Sequence, residues 1–174
     1  NLGKFDEAID YAKKANRKTF NIAGIVSSYA IVPDDRLRHA FYSFLEAGEF
    51  NHGTIFAFEA TKAAYTPQGA DWRRQMLAYV WQNVEFVEAY LKERLPQVKA
   101  YRPQASFLVW LDCRGLGLTH DELIRLFVDR AHLALNDGAM FGREGEGFMR
   151  LNIGCPRSTL RKALDQLTEA VNSK

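Results

Sequence analysis

Apolar residues recur at helical spacing over the first fifteen positions, where Leu2, Phe5, Ala8, Ile9 and Ala12 alternate with lysine and aspartate, which predicts a helix. Residues 25–32, IVSSYAIV, are apolar and rich in β-branched side chains, and Pro33-Asp34 closes them; they predict a buried strand. Asp34 or Asp35 then caps a helix with Leu37, Ala40, Phe41, Phe44 and Leu45 on one face, ended by Gly48. After a polar loop over 49–54, a second helix is expected from about Thr54 to Tyr65. Pro67-Gln68-Gly69 reads as a turn, followed by a long helix from Asp71 to about Leu95. Its stripe is Trp72, Met76, Tyr79, Val80, Val84, Val87 and Leu91, and Pro96 stops it.

Beyond residue 96 the pattern changes. Residues 98–101 and 106–113 read as strands, the second nearly continuously apolar (SFLVWLDC), and Gly115 and Gly117 mark a turn. Thr119 with Glu122 forms a capping box for a helix that buries Leu123, Ile124, Phe127 and Val128. A short strand over 133–136, a glycine-rich loop and a strand over 148–153 follow. Pro156 suits the first turn of a last helix, with Leu160, Ala163, Leu164, Leu167 and Val171 on one face. This order predicts an α+β subdomain with two helices on a mostly antiparallel sheet. The first half is mainly helical. Its lone strand has no partner within that half, so it reads as part of a larger sheet.

Composition excludes more than it selects. Of 174 residues, 47% are hydrophobic and 25% charged, ordinary for a globular protein. A net charge of +2 makes no electrostatic case for nucleic acid. No apolar run is long enough to span a membrane, and the charged, amphipathic start is no secretory signal. That start, LGKFDEAIDYAKKA, looks like one helix of a tetratricopeptide-type repeat, but nothing at that period follows. Cys113 and Cys155 form neither a CxxC pair nor a metal cluster, which suits free thiols in a reducing cytoplasm. The histidines (His39, His52, His120, His132) show no metal-ligand spacing.

One residue stands out against this background. Arg150 lies inside the apolar strand of GAMFGREGEGFMRLNIGCP, residues 138–156, beside Phe148, Met149, Leu151 and Ile153. A guanidinium withdrawn from water is costly unless an anion meets it, and its fork matches a carboxylate. Asn152 is placed either to orient Arg150 or to satisfy backbone. Lys18 by itself reads as a solvated lysine among Lys13, Lys14 and Arg17, and a lysine near buried surface can instead serve as a covalent catalyst.

The order of segments is more specific than any single residue. KTFNIAG (residues 18–24) is followed by SYAI, then by PQASFLVWLD (residues 103–112), then by the glycine-rich motif with its RLN core. Together they resemble the C-terminal half of pyridoxal-phosphate enzymes of fold type I, most closely the MalY/PatB C–S lyase branch of the class I/II aminotransferases. The resemblance runs from Lys18 to the end of the chain. It implies an α/β, aspartate aminotransferase-like fold, of which residues 16–95 are part of the large cofactor domain and its connecting helix. Residues 96–174 are then the small α+β domain, and residues 1–15 a helix unlike the family. It implies that Lys18 holds pyridoxal 5'-phosphate covalently and moves the substrate's α-proton, and that Arg150 grips the α-carboxylate of a sulfur-containing amino acid. Asn51 and Thr54 match a segment that approaches the cofactor phosphate of the neighbouring subunit, in a cytoplasmic homodimer.

Departures from the pattern qualify this. Ala15-Asn16-Arg17 stands where the branch has a Ser/Ala-Pro-Ser triplet, and Val26 stands eight residues after the lysine where aminotransferases carry a phosphate-binding arginine. The second departure favours lyase over transaminase. Nothing before Lys18 resembles the family, so the expectation is a portion of a C–S β-lyase, inactive as this chain alone. The alternatives are an amino-acid aminotransferase and a non-catalytic module.

Overall fold

The computed structural model describes residues 30–50 and 52–173, and the chain divides into two compact units, residues 1–76 and 77–174. Lys18, Asn51, the helix expected over 1–15 and most of the strand expected over 25–32 lie outside the described residues.

In the first unit, α1 spans Asp35–Ala47 and α2 spans Ile55–Ala64. Asp34 caps α1 by accepting from the Leu37 N–H at 2.9 Å. Ala30 to Val32 are not in a strand. Their carbonyls are taken by α1 side chains instead: Tyr42 donates to Ala30 O (3.3 Å) and Arg38 to Val32 O (3.0 Å). The apolar face read for α1 is exposed, and no α1 residue is buried.

α3 runs Pro67–Arg94 and contributes to both units. The turn expected at Pro67-Gln68-Gly69 is therefore the helix's own first turn. Proline's fixed φ suits that position, and the Thr66 hydroxyl accepts from the Gly69 N–H at 3.1 Å. The buried stripe of α3 begins only at Val80 and includes Asn83, Val84, Val87 and Leu91, whereas Trp72 and Tyr79 are exposed.

The second unit is built on a four-stranded antiparallel sheet of order β1-β2-β4-β3, with β1 at Lys99–Tyr101, β2 at Leu108–Asp112, β3 at Asn136–Asp137 and β4 at Phe148–Asn152. Strand side chains alternate between faces. Val109 and Leu111 of β2, with Met149 and Leu151 of β4, are buried on one face. They share the core with Leu123, Leu126 and Phe127, with the α3 stripe, and with Leu160, Leu164, Leu167 and Ala170 of α5, Arg157–Asn172. Each such leucine contributes about 1.5–3 kcal/mol by leaving water.

α4, His120–Arg125, opens with the expected Thr119/Glu122 capping box. It passes into a wider π turn over Leu126–Arg130, which buries Leu126 and leaves Val128 exposed, contrary to the sequence reading. The strand expected over 133–136 shrinks to Asn136–Asp137. His132, just before the expected segment, sits at φ +55°, and the Leu133 N–H donates to Phe127 O at 2.7 Å, which ties the start of that segment to the preceding helical turn.

Candidate functional site

The second sheet face carries the chemistry. In register, Tyr101 lies opposite Trp110, Trp110 opposite Arg150, and Arg150 opposite Asn136, so a single cross-strand row runs Tyr101–Trp110–Arg150–Asn136. Arg150 is half-buried. Its Nη2 donates to Asn136 Oδ1 at 2.9 Å, and its guanidinium carbon lies 4.4 Å from the centre of the Phe141 ring. Phe141 in turn meets Trp110 edge-on at 5.5 Å. Arg150 Nε is enclosed and has no hydrogen-bond partner. Among the described residues no carboxylate pairs with this guanidinium.

Arg114, close by on the same face, makes the contrast. It forks onto Asp112, with Nε to Oδ1 at 2.9 Å and Nη2 to Oδ2 at 2.7 Å, and lies over the Phe148 ring at 4.7 Å. These hydrogen bonds hold the Asp112 carboxyl below the usual carboxylate range, against the opposing effect of its burial. One arginine of this face is thus neutralised by the chain itself and the other is not.

The loop that carries Phe141 is positioned by glycines. Gly138 and Gly145 approach so closely that a Cβ on either would overlap the other's backbone oxygen. Tyr101, Trp110, Phe141, Glu144, Gly145 and Phe148 line an open cleft of about 320 Å³ beside Arg150. Behind the sheet, Asp137 accepts from the Ala139 N–H (2.8 Å) and lies 3.2 Å from His120 Nε2.

Of the residues singled out from sequence, Arg150 occupies the strand position expected of it. Asn152 takes the backbone role: its Oδ1 accepts from the Gly154 N–H at 2.9 Å in a local turn, and the asparagine that hydrogen-bonds Arg150 is Asn136. Thr54 caps α2, accepting from the Ala57 N–H at 3.2 Å. Neither Asn136 nor Phe141 was recognised in the sequence. The cross-strand register that selects them leaves no local signature.

Elsewhere, burial pushes the Cys113 thiol up to about 12, which leaves it protonated and unreactive. No helix of the described residues is long and apolar enough to cross a membrane.

No family model matches the chain. It is 38% identical over 158 residues to cystathionine β-lyase PatB of Bacillus subtilis, covering 91% of this chain and 41% of that protein. It is 32% identical over 157 residues to protein MalY of Escherichia coli, covering 90% and 40% respectively. Among solved structures, it resembles a pyridoxal-phosphate-bound candidate aminotransferase from Clostridium difficile with a TM-score of 0.83 at 36% identity, over 88% of this chain and 40% of that one. The pyridoxal-phosphate-bound C–S lyase of Staphylococcus hominis shares the fold, with a TM-score of 0.73 at 24% identity over 88% of this chain and 40% of that one. The chain spans about two fifths of the length of the curated relatives it matches.

Proposed function

Because the chain belongs to the pyridoxal-phosphate-dependent cystathionine β-lyase and C–S lyase family, whose C-terminal portion it matches, we propose that Arg150 binds the α-carboxylate of an amino-acid substrate in a C–S β-elimination. The observation that carries this is the state of Arg150. It is half-buried, tied by Asn136, backed by Phe141, left with an enclosed Nε donor that nothing accepts, and unpaired with any carboxylate among the described residues. A carboxylate is an anion whose two oxygens match such a fork.

The described residues fit the cofactor at one point. α2 has no acidic residue in its first turn; Thr54 takes the Ala57 N–H, and the N–H groups of Ile55 and Phe56 at that end suit a phosphate. The Thr54 hydroxyl accepts from the Ala57 N–H and keeps its own proton to donate to a phosphate oxygen. Lys18 is assigned the covalent hold on pyridoxal phosphate, and Asn51 and Thr54 are assigned to the phosphate of the cofactor in the neighbouring subunit of the homodimer. When bound, the cofactor supplies an electron sink for negative charge at the α-carbon. Lys18, as a free amine, removes the α-proton. Arg150 fixes the carboxylate and thereby the direction of the Cα–H bond. The outcome is loss of a thiol from Cβ of a sulfur-containing amino acid, as the relatives' names describe for cystathionine. Val26, in place of a phosphate-binding arginine, supports lyase over transaminase. The domain division at about residues 95–96, a homodimer and a reducing cytoplasmic setting complete the proposal; Cys113 and Cys155, both free, support the last.

Two measurements test it. Titrating the chain with L-alanine while following arginine Nε–H resonances is expected to shift that of Arg150. Arg150→Ala should weaken binding about tenfold to a hundredfold, since hydrogen bonds to charged groups contribute ~1.5–3 kcal/mol. Borohydride treatment with pyridoxal phosphate should place any trapped cofactor on Lys18, while these 174 residues alone release no pyruvate from cystathionine. An Arg150 resonance indifferent to L-alanine, or cofactor trapped on another lysine, sinks the assignment.

A further inference from the structure

We infer that Asn136 is the positioning residue of Arg150, holding the guanidinium in place while leaving its positive charge available to a carboxylate. The inference rests on the carboxylate role proposed for Arg150. Asn136 lies directly opposite Arg150 in the β3–β4 register, and its Oδ1 takes one Nη2 hydrogen at 2.9 Å. Phe141 covers a guanidinium face at 4.4 Å. One donor is tied and one face is backed, so the group has a set orientation before any ligand arrives, and less entropy is lost on binding.

An amide orients without neutralising. A carboxylate at the same register position would form the ion pair that Asp112 makes with Arg114 and would compete with substrate. The chain does carry a carboxylate one residue away, at Asp137. Strand alternation turns it to the other face, where His120 Nε2 (3.2 Å) and the Ala139 N–H (2.8 Å) hold it. The two residues of β3 therefore sort a neutral acceptor toward Arg150 and an acid away from it. A slip of one residue would exchange them.

The test compares Asn136→Ala with the isosteric Asn136→Asp in the 174-residue chain. In the parent chain, nitrogen-15 spectra should resolve the Arg150 Nη groups at low temperature, because the Asn136 bond hinders their rotation. Asn136→Ala should average them and weaken L-alanine binding about threefold to tenfold, the range for one lost hydrogen bond. Asn136→Asp should keep rotation hindered yet weaken binding further, by about tenfold or more, through charge compensation. A merely structural asparagine gives the reverse order, with the isosteric aspartate mild and alanine worse. The inference is overturned if Asn136→Asp binds L-alanine like the parent, or if Asn136→Ala leaves rotation and binding unchanged. Arg150→Ala, run in parallel, separates the failures. If it titrates like the parent, the carboxylate role itself falls and takes the inference with it. If it loses binding while both Asn136 variants keep it, only the inference falls.

Discussion

Arg114 and Arg150 share a sheet face, each lies against a phenylalanine, and they differ in the group that meets them: a carboxylate for one, a neutral amide for the other. The functional reading rests on that difference. A second asparagine matters for stability. Asn83 is fully buried on α3. Its Nδ2 donates to Ile153 O (2.9 Å) and Cys155 O (3.0 Å), and its Oδ1 accepts from Arg157 Nε (2.6 Å), so it ties the end of β4 to the start of α5. Asn83→Ala removes the side-chain hydrogen bonds of two carbonyls and of the Arg157 Nε and should lower stability on the order of 2–4 kcal/mol, read from urea unfolding. Arg150 was legible in the sequence because a cation amid apolar strand residues is anomalous. Asn83 and Asn136 were not, since their partners lie 70–74 and 14 residues away and nothing local marks them.

Among the elements, the short ones between β3 and β4 decide the site. The turns at Gly138–Phe141 and Arg143–Gly145 fold back on each other through the Gly138–Gly145 contact and present Phe141 to Arg150. Gly145→Ala forces two backbone segments apart. It should cost about 1–3 kcal/mol, as overpacking does. It should also reduce the ring-current shift that Phe141 imposes on Arg150, which the same arginine spectra report. The glycine-rich stretch was recognisable as a loop, but its backbone contact was not, because composition does not say which glycines meet. Helix ends were more legible. The Thr119/Glu122 box is local chemistry and appears as expected, and of the two aspartates offered as the α1 cap, the structure selects Asp34. Pro67-Gln68-Gly69 suits a free turn and a helix's first turn alike, and the Ala70 N–H to Thr66 O bond at 2.9 Å makes it the latter.

For the molecule as a whole, burial is uneven. Among the described residues the core belongs to the second unit, whereas in the first only Ala57 is a buried apolar side chain, and Leu37, Phe44, Ile55 and Phe56 are each more than 60% exposed. Helices without a buried face open readily. Amide exchange over Leu108–Asp112, Phe148–Asn152 and Arg157–Asn172 should therefore run roughly a hundredfold or more slower than over Asp35–Ala47 and Ile55–Ala64. Comparable protection in both sets would contradict this account of where the stability lies.

By itself the sequence determined the helices with local caps, the alternating strands, the α+β character of the second half, the family, and Arg150 as the residue to explain. These follow from periodicity, capping and motif order, which are written in neighbouring positions. Tertiary structure alone decided which side chains surround Arg150 and with what charge. Register across β2, β4 and β3 brings Trp110 and Asn136 beside it, a glycine contact delivers Phe141, and strand alternation sends Asp137 to the far face. Those are long-range pairings, fixed by which faces the core buries and not by any residue's immediate neighbours.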